Sequence, residues 1–274
     1  MKEYIYKTKL YFILAFAITW VFGGILIYQS YTTGEKSILA LLIAYMGPFI
    51  AYLVIMFMDK NKEYRKDFRS RLTSLKRAKG RYWLFALLFL PVMILLSITI
   101  SLVFGQSAEQ YQIAEELQVF SGELVLSMII LALVPFLEEL GWRGYGVDAL
   151  TKNNTVLKSA LIFGLLWALW HLPVFFIKGS YQAGLWEMNP IYALNFFVGI
   201  IPLAVIMNWL YYRSNRSMLV LIVFHILVNL SSELFSATQI SKCILTLVLF
   251  VVAGILYYLD KERLFNKKLD ELDL

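Results

Sequence analysis

Eight times between Leu10 and Leu259 the sequence runs apolar for long enough to cross a bilayer, and no other feature limits the fold so severely. A membrane-crossing helix needs about 20 mostly apolar residues, since in hydrocarbon each backbone N–H and C=O must be satisfied within its own segment. The runs predict spans at Leu10–Tyr28, Ile38–Met58, Tyr82–Phe104, Leu124–Leu150, Leu157–Ile177, Ile191–Tyr212, Met218–Phe235 and Ile244–Leu259. The expected fold is therefore an all-α, polytopic bundle of about eight transmembrane helices. Composition agrees, with 60% hydrophobic and 16% charged residues. Soluble domains average about 45–50% and about 25%. No Pro/Gly/Ser-rich linker divides residues 1–274, so a single transmembrane domain is expected.

Lys and Arg set the expected orientation. The connection Asp59–Arg81 carries ten of them, among them Lys60, Arg71, Arg77 and Arg81, a strong cytoplasmic signal. The next connection, Gly105–Glu123, holds Glu109, Glu115, Glu116 and Glu123 and no basic residue. Lys2, Lys7 and Lys9 at the start, Arg213 and Arg216 between the sixth and seventh spans, and Lys261, Arg263, Lys267 and Lys268 after the last agree. Both termini are expected in the cytoplasm of a multi-pass cell-membrane protein, with the basic loop against anionic lipid as a further option.

A net charge of +6 could suggest nucleic acid. The basic residues instead cluster beside apolar spans, so no nucleic-acid partner is expected. Cys243, the single cysteine, cannot form an internal disulfide or a cysteine-based zinc site. Trp20, Tyr82, Trp83, Tyr211 and Tyr212 fall near span ends and read as interfacial anchors. Pro48, Pro91 and Pro202 are expected to kink their helices.

Ionisable side chains deep in a span are costly and are functional candidates by default. They concentrate in the fourth span, which reads F-L-E-E-L-G-W-R-G and carries Glu138, Glu139 and Arg143. Both histidines of the chain, His171 and His225, also lie inside spans. Glu139 and Arg143 are an i, i+4 pair on one helical face, as are His225 and Asn229. Glu138 points about 100° away from Glu139 and lacks the arginine. Trp167 stands one turn before His171, where its indole can pack on the imidazole. If the fourth and fifth spans turn near Asn153–Thr155, Glu138 and His171 both lie about 25 Å along their helices, while His225 and Asn229 lie about 12–20 Å from Ser217. The polar groups can thus meet in one cavity, which is expected to open to the cytoplasm.

E-E-x-x-x-R followed by Gly, then an aromatic-x-x-x-His, then His-x-x-x-Asn, each in its own span, resembles the type II CAAX proteases, the Ras-converting endopeptidases and their prokaryotic relatives. Trp167 departs from the Phe usual in that family's second motif. The resemblance implies removal of a C-terminal tripeptide from proteins carrying an isoprenylated cysteine. It also implies roles: Glu138 activating water with help from His171, Glu139 and Arg143 as a supporting pair, and His225 with Asn229 stabilising the oxyanion.

The chemistry can be read beside the family. Amide hydrolysis needs a base for water, a proton for the leaving amine and donors for the tetrahedral oxyanion. These residues supply each, and no Ser-His-Asp pattern offers a covalent nucleophile. Two His and a Glu are also a ligand set of zinc peptidases, although the His-Glu-x-x-His helix is absent. No cofactor is the favoured reading, with zinc as the alternative. A proton-coupled transporter and a non-catalytic bacteriocin-immunity type protein stand as alternative functions. The expected partners are membrane lipid and the prenylated C-terminus of a protein or peptide.

Overall fold

In the computed structural model, which describes residues 4–114 and 122–273, the chain is helical nearly throughout. Glu115 and Glu116 of the acidic connection lie outside the described residues. The long helices are α1 (Thr8–Thr32), α5 (Gly80–Val103), α6 (Gly122–Gly141), α8 (Val156–Trp170), α10 (Pro190–Arg213) and α12 (Gln239–Asp260). With the short continuations of α6, α8 and α12, six candidate spans result. A seventh is the pair α2 (Ile38–Tyr45) and α3 (Gly47–Met58), bent by 64° where Pro48 enters. Between α10 and α12 lies α11 (Met218–Leu234), apolar and 17 residues long. All eight expected runs are thus helical, and the chain is a multi-pass membrane protein.

Three elements stand outside the expected spans or alter them. The basic connection folds into an amphipathic helix, α4 (Lys62–Thr73), started by the Asn61 side chain accepting from the Tyr64 amide. A second short helix, α9 (Tyr181–Met188), is capped by Ser180 in the same way. Beyond Gly141 the fourth span passes through a π-helical turn, Trp142–Gly146, into α7 (Val147–Thr151).

That π-turn is held from outside. π-turns break the regular i to i−4 ladder and favour functional sites. Arg71 of α4 donates to the Arg143 carbonyl at 2.7 Å and the Gly144 carbonyl at 3.0 Å. Tyr64 adds a 2.6 Å bond to Gly144, and Tyr211 one of 3.0 Å to Arg143. Arg71 also pairs with Asp148 at 3.2 Å and with Asp67 at 2.8 Å, and Arg216 joins both carboxylates. Arg71 is therefore fully buried and more than a topology signal, while Tyr211 and Tyr212 lie in the core with their hydroxyls on Asp148 rather than at an interface. The backbone must come close here. A Cβ on Gly141 would meet the Pro48 carbonyl carbon at 2.3 Å, and one on Gly144 would meet the Phe68 ring at 2.7 Å.

The bundle has two chemically different ends. Arg213 binds Asp260, Arg77 reaches the Asn215 carbonyl, and the Val156 amide bonds to Lys267, so all the basic connections gather at one end. At the other, the Ser236 amide bonds to Gln112, and Gln239 to the Tyr181 hydroxyl.

Candidate active site

The polar residues singled out in the sequence converge in mid-bundle. Glu139 and Arg143 form the expected i, i+4 pair, with Nη1 2.7 Å from Oε1, and both are fully buried. The same Oε1 takes His225 Nδ1 at 2.9 Å, which joins α11 to α6. The Arg143 guanidinium lies over the Phe163 ring at 4.9 Å and the Trp167 ring at 5.9 Å, so aromatic faces complete its environment.

Glu138 points elsewhere, as its helical position requires. It is not without partners, however. Its Oε2 accepts from Trp167 Nε1 at 3.0 Å and, at a longer 3.4 Å, from Trp142 Nε1. Trp142 is the i+4 neighbour that takes the place Arg143 takes for Glu139. Oε1 of Glu138 has no protein partner among the described residues, and Glu138 lines the cavity.

His171 is set by the way its helix ends. Pro173 cannot continue the α-helix, and the chain tightens into a 3₁₀ turn over Leu172–Phe176. The His171 amide then bonds to the Ala168 carbonyl. The Trp167 carbonyl, left by that shift, lies 2.7 Å from His171 Nδ1. A carbonyl can only accept, so Nδ1 carries the hydrogen and Nε2 is the nitrogen available for chemistry. Trp167 and His171 rings are 5.8 Å apart, confirming the expected packing. Trp167 also meets His225 edge-on at 5.2 Å.

Glu138, Trp167, His171, His225 and Asn229 all line one cavity of about 580 Å³. Asn229 stands one turn beyond His225, half-buried, and its amide has no hydrogen-bond partner among the described residues. From this polar floor the wall is apolar, with Leu90, Leu131, Leu203 and Leu249. The mouth is formed by Tyr181, Gln182, Glu233, Gln239 and Lys242. These belong to the end of the bundle opposite the basic connections. A cytoplasmic basic loop and a cavity mouth open to the cytoplasm are therefore incompatible expectations. About 25 Å from the Asn153–Thr155 turn does place Glu138 and His171 level, but across a hydrocarbon core of about 30 Å that depth is nearer the far surface.

Among the described residues no three His, Cys, Asp or Glu side chains group closely enough to hold a metal ion. Oε2 of Glu138 and Nδ1 of each histidine are hydrogen-bonded within the protein, and among the described residues the second oxygen and second ring nitrogens are not, an arrangement that metal-ligating histidines also show.

A buried carboxylate, two imidazoles and an unpaired amide thus share one cavity within the bundle. Comparison with known proteins narrows the class. Residues 120–231 match the family model described as type II CAAX prenyl endopeptidase Rce1-like. The chain is also 37% identical over 269 residues to the CAAX prenyl protease 2 of Methanococcus maripaludis, covering 97% of this chain and 99% of that one. The chain belongs to the type II CAAX prenyl endopeptidase family.

Proposed function

We propose that the chain is an intramembrane endopeptidase that removes the C-terminal tripeptide of isoprenylated CAAX-type proteins, using water activated by Glu138 rather than a covalent nucleophile. The observation that carries this reading is the division of labour on Glu138. One oxygen is fixed by Trp167, and the other is left to a cavity that His171, His225 and Asn229 share. Glu138 takes a proton from water as its oxygen attacks the scissile carbonyl. His171, with Nε2 free, relays the proton to the departing amine. The oxyanion is met by the Asn229 amide and by the His225 ring, which is held in place through Nδ1 on Glu139. Such donors work by being fixed before the charge develops. No step is routed through a metal.

The apolar wall suits an isoprenoid chain, and the polar mouth suits the peptide that follows it. A protein folded in the cytoplasm can offer only its tail, so the mouth is assigned to the cytoplasmic face. Both termini and the basic connections then lie on the opposite face, against their Lys and Arg bias. The direct test is incubation of purified protein with a farnesylated CAAX peptide and detection of tripeptide. Release by wild type and none by well-folded Glu138→Ala supports the reading; wild type that releases none overturns it.

A further inference from the structure

The cavity has a cation at its mouth that no step of the hydrolysis uses. Lys242 is the only Lys or Arg among the described residues that line the cavity. Its side chain is held in place: Nζ lies 3.1 Å from the Tyr181 hydroxyl and 5.0 Å from the ring centroid. Gln239 Nε2 supports the same hydroxyl at 3.2 Å. The backbone beneath is tied as well, the Lys242 carbonyl accepting from Asn195 Nδ2 at 3.4 Å and Thr246 Oγ1 at 3.3 Å. Yet among the described residues no carboxylate stands within 4 Å of Nζ, Glu233 on the same rim included. An ammonium has three hydrogens to give, and Tyr181 takes one.

We propose that Lys242 receives the free C-terminal carboxylate of the substrate and so fixes the length of peptide removed. This rests on the endopeptidase reading. Three extended residues span about 10 Å. Lys242 stands one helical turn inside α12, which starts at Gln239, a short link beyond the Leu234 end of α11; taken as roughly level with Ser231, it stands six residues beyond His225. At about 1.5 Å per residue it lies about 9 Å further towards the mouth than the imidazole. With the scissile carbonyl at His225 and Asn229, a tripeptide leaving group therefore brings its carboxylate to Nζ. A longer tail would pass the lysine, and an amidated one would leave the ammonium without its anion.

The experiment compares three farnesylated peptides of one sequence: a free acid, its C-terminal amide, and a form one residue longer. Wild type is expected to cleave the free acid with kcat/KM about tenfold or more above the other two, as loss of a charge-assisted hydrogen bond implies. Lys242→Met should lower kcat/KM for the acid alone, bringing acid and amide together, and Lys242→Arg should restore the preference. Wild type that cleaves none of the peptides overturns the endopeptidase reading and this proposal with it. Wild type that cleaves acid and amide equally, or Lys242→Met that keeps the wild-type preference, overturns the carboxylate receptor alone.

Discussion

Trp167 Nε1 donates to Glu138 Oε2 at 3.0 Å, binding the second motif of the sequence to the first by a hydrogen bond that phenylalanine cannot make. From sequence, Trp167 was expected to serve only as an aromatic neighbour of His171. It does pack there, and it also determines which oxygen of Glu138 faces the cavity. Trp167→Phe should keep the fold, since Phe is the usual residue of the resembling family, and lower kcat by about tenfold with little change in KM. Trp142→Phe, at 3.4 Å from the same oxygen, should cost less. Steady-state kinetics on a farnesylated peptide decide it: an unchanged kcat in Trp167→Phe removes the indole from the mechanism.

Glu139 sits between two donors, Arg143 at 2.7 Å and His225 at 2.9 Å on the same oxygen. Removing one partner of a buried pair leaves an uncompensated charge and costs about 3–5 kcal/mol. Glu139→Ala and Arg143→Ala should therefore both lower Tm in detergent, and Glu139→Ala should also lower kcat by freeing the His225 ring. Wild-type Tm and rate in both variants would show that the pair contributes nothing.

What could be read from the sequence follows from the range of each interaction. The spans were legible because twenty-residue apolar runs are local, and Glu139–Arg143 because i, i+4 geometry is fixed by the helix. The clamp of Arg71 on Asp148 was not, because the two residues are 77 positions apart. Asp148 lies near a span end, where a charge attracts no notice, and Arg71 was one basic residue among ten. The signal that could have found them is the glycine spacing G-W-R-G-Y-G, in which small residues let α3 and α4 approach the backbone. The ionisable residues that line the cavity were legible because a membrane interior makes such groups conspicuous. The indole partners of Glu138 were not, because indoles are common in membrane proteins.

The ion network at the basic end predicts acid sensitivity with a definite sign. Burial alone would raise the Asp67 pKa, but Arg71, Arg216 and Arg77 outweigh it and hold the carboxyl below its ordinary value. A carboxyl depressed in the folded state stabilises fully above its unfolded pKa of about 3.9 and loses that contribution as pH falls through the folded value. Tm of wild type should hence fall below about pH 4 more steeply than that of Asp67→Asn, which should be lower at neutral pH. Parallel pH profiles for the two proteins would remove Asp67 from the network.

Orientation can be measured directly, because the mouth and the basic connections occupy opposite ends. In a Cys243→Ser background, single cysteines at Gln182 and Lys62 report the two faces. In right-side-out vesicles, Lys62Cys should react with an impermeant thiol reagent and Gln182Cys only after the inner face is opened. The reverse pattern would place the basic loop inside, as its charge bias suggests, and would require prenylated substrates to reach the cavity from the bilayer.

The oxyanion donors separate the water-activating glutamate from a zinc centre. If Asn229 meets the developing charge, Asn229→Ala should lower kcat by about 10²–10³ while KM changes little, since the contact matures only in the transition state. His225 distinguishes the two chemistries further. In the metal-free reading its Nδ1 stays on Glu139, and His225→Ala reduces turnover with no change in metal content. As a zinc ligand, its loss would remove bound metal along with activity. Metal analysis beside kinetics on wild type and His225→Ala therefore decides the matter. Turnover that persists in demonstrably metal-free wild type supports catalysis by Glu138 and its neighbours alone. One zinc per active chain, lost in His225→Ala and needed to restore stripped wild type, would refute it.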